Sequence, residues 1–127
     1  MERGACVLVA DDDPDILNLV RRRLTRDGHE VIAARDGDEA RELTELREPD
    51  ALVLDVVMPG ADGVELTRWA REQYRDRHMP IILISARTQA ADIARGLAAG
   101  ADEYLTKPFS RDDLRERLRR LIADAAA

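Results

Sequence analysis

Five short apolar runs, each followed by an amphipathic stretch, recur along this chain at a spacing of roughly 20 to 25 residues. Such alternation builds βα units, and the strands of a parallel sheet are buried on both faces by the helices that connect them. Val7-Leu8-Val9-Ala10, Ala51-Leu52-Val53-Leu54 and Ile81-Ile82-Leu83-Ile84 are continuously apolar rather than alternating, which is the pattern of strands covered on both sides. The runs predict strands over 5–10, 30–34, 51–55, 80–84 and 102–106. The second, Glu30-Val31-Ile32-Ala33-Ala34, is shorter and more polar and is expected at an edge. The expected fold is α/β, a doubly wound five-stranded parallel sheet, and 127 residues suit one domain, 1–127, around a single core.

The intervening stretches predict helices over 14–26, 37–47, 63–74, 88–99 and 111–123. Pro14 occupies a helix-start position, Ile16, Leu17, Val20 and Leu24 share one face, and Gly28 ends the helix. The second opens with Asp36-x-x-Glu39, a capping-box pattern, and stops before Pro49. The third follows Asp62 and buries Leu66 and Ala70, with Trp69 partly buried beside them. The fourth closes at Gly100 and carries Gly96 inside it, at a cost of about 1 kcal/mol relative to Ala. The fifth opens at Ser110 and repeats Leu114, Leu118, Leu121 and Ile122 on one face. Only Asp124-Ala125-Ala126-Ala127 follow, so no linker, repeat or second domain is expected.

No apolar run approaches the roughly 18 residues of a membrane span. The N-terminus, with Arg3 and Cys6, lacks a signal peptide's apolar stretch, so a cytoplasmic protein without membrane contact is expected. Cys6, the one cysteine, lies in the first strand pattern as a buried structural thiol. Twenty-six acidic against twenty basic residues give a formal charge of −6, which argues against direct nucleic-acid binding. The runs Arg21-Arg22-Arg23 and Arg115-Glu116-Arg117-Leu118-Arg119-Arg120 read as solvated helix faces mixed with acids.

The chemistry lies at the strand ends. Asp55 closes the third apolar run, Asp11-Asp12-Asp13 follow the first, Ser85 the fourth, and Lys107-Pro108 the fifth. A carboxylate at the tip of a buried strand is costly unless something pairs with it or uses it. In a doubly wound sheet the ligand lies outside the carboxyl ends of the strands, where strand order reverses. If the first strand is central, Asp11, Asp12 and Asp55 meet in the crevice between strands one and three. Three clustered carboxylates repel, and a hard divalent cation such as Mg²⁺ relieves this with oxygen ligands. Asp13 or Asp15 is accounted for by charge at the start of the first helix, but Asp55 is not.

Val7-Leu8-Val9-Ala10-Asp11-Asp12-Asp13, Leu54-Asp55-Val56-Val57-Met58-Pro59-Gly60-Ala61-Asp62-Gly63, Ile84-Ser85-Ala86 and Gly100-Ala101-Asp102-Glu103-Tyr104-Leu105-Thr106-Lys107-Pro108-Phe109 resemble response-regulator receiver domains of two-component signalling, in the correct order across essentially the whole chain. The resemblance implies a flavodoxin-like (βα)5 fold with strand order 2-1-3-4-5 and a phosphorylation-activated switch that catalyses only its own phosphorylation and dephosphorylation. It implies Asp55 as phosphoacceptor, Mg²⁺ held by Asp12, Asp55 and the Val57 carbonyl with Asp11 acting mainly through water, Ser85 as switch hydroxyl, Tyr104 as switch aromatic and Lys107 as phosphate-binding ammonium. Lys107-Pro108 is expected to be cis. The implied donor is a sensor histidine kinase or phosphotransfer protein, with an effector domain or downstream protein as recipient through the face of helix four, strand five and helix five.

By the same resemblance, receivers joined to winged-helix DNA-binding domains dimerise on that face through charge pairs. Glu103, Arg117 and Asp113 fit the set while Ile93 interrupts it, so a monomer is expected before phosphorylation and a phosphorylation-dependent homodimer is a further expectation. Two variable positions over the acceptor, Val57 and Arg87, offer no acceptor to align a hydrolytic water, implying a long-lived phosphoryl group. An alternative is a receiver module of a longer DNA-binding regulator or hybrid kinase. An aspartate-nucleophile phosphatase of the haloacid-dehalogenase class wants a second Asp two residues after the nucleophile, where this chain has Val57. A flavin carrier of the same topology needs a Ser/Thr-rich phosphate loop where this chain has Asp11-Asp12-Asp13.

Overall fold

The structure, a computed structural model, describes residues 4–126, so Arg3 and Ala127 lie outside the described residues. Ten elements alternate strictly: β1 (Cys6–Ala10), α1 (Pro14–Arg26), β2 (Glu30–Ala34), α2 (Gly37–Arg47), β3 (Ala51–Asp55), α3 (Gly63–Gln73), β4 (Ile81–Ser85), α4 (Ala90–Ala98), β5 (Glu103–Thr106) and α5 (Arg111–Ala126). All strand pairs are parallel and the order is β2-β1-β3-β4-β5, with the polar β2 at an edge as its composition predicts.

Period-two alternation divides each strand between two cores. Val7, Val9, Val53, Ile82, Ile84 and Leu105 face α1 and α5, where they meet Leu17, Val20, Leu24, Leu114 and Leu118. Leu8, Leu52, Leu54, Ile81 and Leu83 face the other side, packing with Ala40 of α2 and Val64, Leu66 and Ala70 of α3. Leu114 and Leu118 are essentially fully buried, and each such side chain contributes roughly 1.5–3 kcal/mol of transfer free energy.

Several expected boundaries move, each for a local reason. β4 runs through Ser85, one residue further than read, because Ser85 stays in register with Thr106 and its carbonyl accepts from the Lys107 N–H at 2.8 Å. α4 starts at Ala90 rather than 88: Gln89 makes no side-chain cap, and the chain before it is tied back to β4, with the Arg87 N–H donating to Ser85 Oγ at 3.0 Å. α5 continues to Ala126 rather than 123, as alanines favour helix. In the capping-box pattern of α2, Asp36 accepts from the Glu39 N–H at 2.8 Å, but Glu39 reaches back one residue further than expected, to the Arg35 N–H at 3.2 Å. Trp69 is half-buried as expected, edge-on to Tyr74 with the Arg41 guanidinium over its ring at 5.0 Å.

Cys6 corrects an expectation. It is only half-buried, because it opens β1 at the rim of the sheet, where its N–H donates to Asp50 Oδ2 at 2.8 Å. Burial, reinforced by Glu30 and Asp50, still pushes its thiol up, away from the reactive thiolate.

One side-chain knot had no signal in the periodicity. Arg71 of α3 donates to the carbonyls of Gly100 (2.9 Å) and Met79 (2.6 Å) and to Asp102 Oδ2 (2.9 Å). Asp102 also accepts from the Ile81 N–H at 2.8 Å and lies 2.9 Å from His78 Nε2. The starts of β4 and β5 and the end of α3 are thereby held together beneath the sheet, at the end opposite the carboxyl termini of the strands.

Candidate functional site

β1 and β3 are neighbours, and the chain turns to opposite sides after them: β2 lies beyond β1, and β4 beyond β3. This is the reversal of strand order at which a doubly wound sheet opens a crevice. Asp11 follows Val9 by two residues, Asp55 follows Val53 by two, and Lys107 follows Leu105 by two. All three antecedents belong to the core facing α1 and α5, so the alternation of the strands carries their charges to one side of the crevice. Lys107 Nζ donates to Asp11 Oδ2 at 3.2 Å and to Asp55 Oδ2 at 3.3 Å. Oxygens of Asp11, Asp12 and Asp55 all lie within 4.8 Å of one another. An open pocket is lined by these residues together with Asp13, Val57, Ser85, Ala86 and Arg87. The expected Lys107–Pro108 bond is cis.

The site is electrostatically underpaid. Asp11 and Asp55 are buried, with Lys107 as the one ammonium between them. Burial, then the neighbouring Asp11 carboxylate, raises the Asp55 carboxyl from 3.8 to about 6 against the pull of Lys107. Burial alone would lower Lys107, but the carboxylates of Asp55 and Asp11 outweigh it and raise it, so the ammonium is fixed at neutral pH. Three carboxylates with no nitrogen or sulfur donor form a set that suits a hard divalent cation. Asp12 is exposed and faces solvent at the rim. Asp13 belongs to the helix instead: its carboxylate accepts from the Asp15 N–H at 2.9 Å and caps α1, as helix-start charge predicts.

Ser85 and Tyr104 lie on the other parity. Ser85 follows Ile81 and Leu83, and the Tyr104 ring packs against the core facing α2 and α3. A single residue joins them, one that the sequence reading marked only for its place over the acceptor. The Arg87 N–H donates to Ser85 Oγ at 3.0 Å, and the Arg87 carbonyl accepts from the Tyr104 hydroxyl at 3.0 Å. Main-chain bridging of this kind leaves no trace in side-chain identity.

The two arginine-rich runs part company. In α5, Arg115 pairs with Asp27, Arg119 with Glu116, and Arg117 with Asp113 and Glu103, as a face mixed with acids predicts. In α1, Arg21 and Arg22 are exposed, as a solvated face predicts, but Arg22 and Arg23, with Arg26 and Arg111, line a surface depression beside Leu19, and none of these four has a carboxylate partner among the described residues. Of the acids bordering α1, Asp13 caps the helix and Asp27 pairs with Arg115. Among the described residues no helix is long and apolar enough to cross a membrane.

The family model for the response regulator receiver domain matches residues 7–119. Over 116 residues the chain is 43% identical to the transcriptional regulatory protein TrcR of Mycobacterium tuberculosis, an alignment that covers 91% of this chain and 44% of that protein. It is 39% identical, again over 116 residues, to the alkaline phosphatase synthesis transcriptional regulatory protein PhoP of Bacillus subtilis, covering 91% of this chain and 48% of that one. The structure superposes on the receiver domain of Francisella response regulator 1452 with a TM-score of 0.89 at 36% identity, covering 95% of this chain and 98% of the other. The chain spans about half the length of the curated relatives it matches.

Proposed function

The chain belongs to the response-regulator receiver family of two-component signalling, and from that footing we propose that Asp55 accepts a phosphoryl group from a phosphohistidine of a sensor kinase or phosphotransfer protein. The observation that carries this reading is Asp55 itself, 6% exposed at the tip of the central strand and within 3.3 Å of Lys107. An Asp55 carboxylate oxygen attacks phosphorus, the bond from phosphorus to the donor imidazole breaks, and its electron pair returns to the ring nitrogen. Lys107 stands where it can neutralise the transferring oxygens. Asp11, Asp12, Asp55 and the Val57 carbonyl are the ligands proposed for Mg²⁺, which when bound supplies further positive charge to those oxygens. Ser85 accepts from Arg87 and keeps its own proton to donate to a new phosphoryl oxygen. Incubation with Mg²⁺ and acetyl phosphate, followed by intact-mass measurement, tests the reading: a gain of one phosphoryl group per chain is expected, and no gain would remove it.

Persistence of the signal depends on what can align water behind the phosphorus. Val57, 49% exposed, and Arg87 both line the pocket, and neither side chain carries an acceptor. Replacing Val57 by Asn and Arg87 by Glu is expected to speed phosphate loss several-fold, followed on purified phosphoprotein beside the parent. Equal rates would show that these positions do not govern access.

The charges once read as a dimer contact are engaged within one chain, Arg117 with Glu103 and Asp113. The unphosphorylated protein is therefore proposed to be monomeric, with any dimer following phosphorylation by exchange of these pairs between copies. Light scattering with and without beryllofluoride checks this, and a dimer lacking any phosphate mimic would contradict it.

A further inference from the structure

Gly96 stands out as a buried glycine in the interior of α4, the one buried residue in that helix. A Cβ built there would lie 2.9 Å from Leu83 Cδ1 and 3.1 and 3.3 Å from Tyr104 Cδ2 and Cε2. The absent side chain is thus filled by a neighbour: the Tyr104 ring lies in the slot it leaves, between α4 and the sheet. Two facts decide which neighbour would yield to a methyl group. Leu83 is 0% exposed within the core facing α2 and α3. Tyr104 is only half-buried, with a way out to solvent, and its hydroxyl is tethered by one bond to the Arg87 carbonyl. The ring would move before the leucine does. The rest of α4 offers little opposition, as its first turn has no side-chain cap and its link to α3 is a long 3.9 Å pair between Arg95 and Asp62.

We propose that Gly96 is the positioning residue for Tyr104: the slot it leaves in α4 sets how far the ring enters, and so keeps the Tyr104 hydroxyl on the Arg87 carbonyl. This rests on the reading of Ser85 and Tyr104 as the switch pair, and it extends that reading to α4. Gly96 never touches the phosphoryl group, so altering it separates acceptance of the signal from its transmission. Alanine favours helix over glycine, so Gly96→Ala is expected to keep α4 folded.

The chain has two tyrosines, and Tyr74→Phe leaves Tyr104 as a single site for 3-fluorotyrosine and fluorine NMR. In the resting protein, Gly96→Ala is expected to shift the Tyr104 resonance toward that of solvent-exposed fluorotyrosine, with Gly96→Ser doing the same. Ala94→Gly, on an exposed position of the same helix, should leave it in place. Adding Mg²⁺ and beryllofluoride should move the resonance in the parent and much less in Gly96→Ala, while acetyl-phosphate labelling of Asp55 stays within two-fold of the parent. An unchanged resting resonance in both Gly96 variants overturns the proposal. So does a shift of comparable size in Ala94→Gly, in either direction, since a general disturbance of α4 and not the slot at Gly96 would then be the cause. If parent and variant alike fail to label, it is the phosphoacceptor reading that falls, and the resting-state comparison still decides the role of Gly96.

Discussion

Asp55→Asn is expected to abolish labelling by acetyl phosphate completely. The amide keeps the size and one acceptor oxygen of the carboxylate but has no anionic oxygen with which to attack phosphorus. No other carboxylate matches its setting: Asp11 is buried but follows β1 and is bonded to the Asp13 N–H at 2.9 Å, Asp12 is exposed at the rim, and Asp13 is committed to capping α1. The loss should therefore be all-or-none by intact mass, not a partial slowing. Stoichiometric labelling of the mutant would sink the assignment of Asp55. Asp12→Ala should also label poorly but for another cause, weakened affinity for Mg²⁺, which rising metal concentration partly reverses.

The second large effect is on stability against pH in protein freed of divalent ions by EDTA. The Asp55 carboxyl is raised from 3.8 to about 6 in the folded state, by burial first and by Asp11 second. Between those values the folded chain holds a proton that the unfolded chain has released. Stability therefore falls as pH rises through that window, and is level above it. A difference of this size corresponds to about 3 kcal/mol. Urea unfolding of the parent from pH 4 to 7 should show the decline, and Asp55→Asn, which carries no proton to lose, should lack it. The mutant should then be the more stable protein at neutral pH, so the variant that cannot signal is the better folded one. Parallel curves for the two proteins would contradict the argument. Adding Mg²⁺ should restore most of the lost stability to the parent and little to the mutant, because binding to the folded state alone stabilises it.

Much of this is legible in the sequence. The continuous apolar runs of β1, β3 and β4 fixed a parallel sheet covered on both faces, and the polar make-up of Glu30–Ala34 marked its edge. Asp11, Asp12, Asp55, Ser85 and Lys107 could be found because each stands where a buried strand runs out, a place where charge is costly and so conspicuous. What escaped is what side-chain pattern does not encode. The Arg87 bridge is made by main-chain atoms, and the Arg71–Asp102 knot joins residues 31 apart through a surface-type arginine. Gly96 was visible only as a cost to helix formation, since the ring that occupies its place comes from another element. α4 starts later than its pattern predicts for a related reason: Gln89 gives no cap, and the loop before it is tied to Ser85.

The alternation of the strands has one more effect. It assigns Asp11, Asp55 and Lys107, the charges proposed to react, to the face roofed by α1 and α5, where Leu17, Val20, Leu24, Leu114 and Leu118 pack against the sheet. It assigns Ser85 and Tyr104 to the face where α4 rests on a glycine. The proposed acceptor and the proposed switch pair are thus sorted to opposite sides of a single five-stranded layer. On the proposed reading, a change in the packing of Tyr104 against α4 leaves the side chains beneath Asp55 on the other face in place, so the protein can be read without loosening the place where it is written.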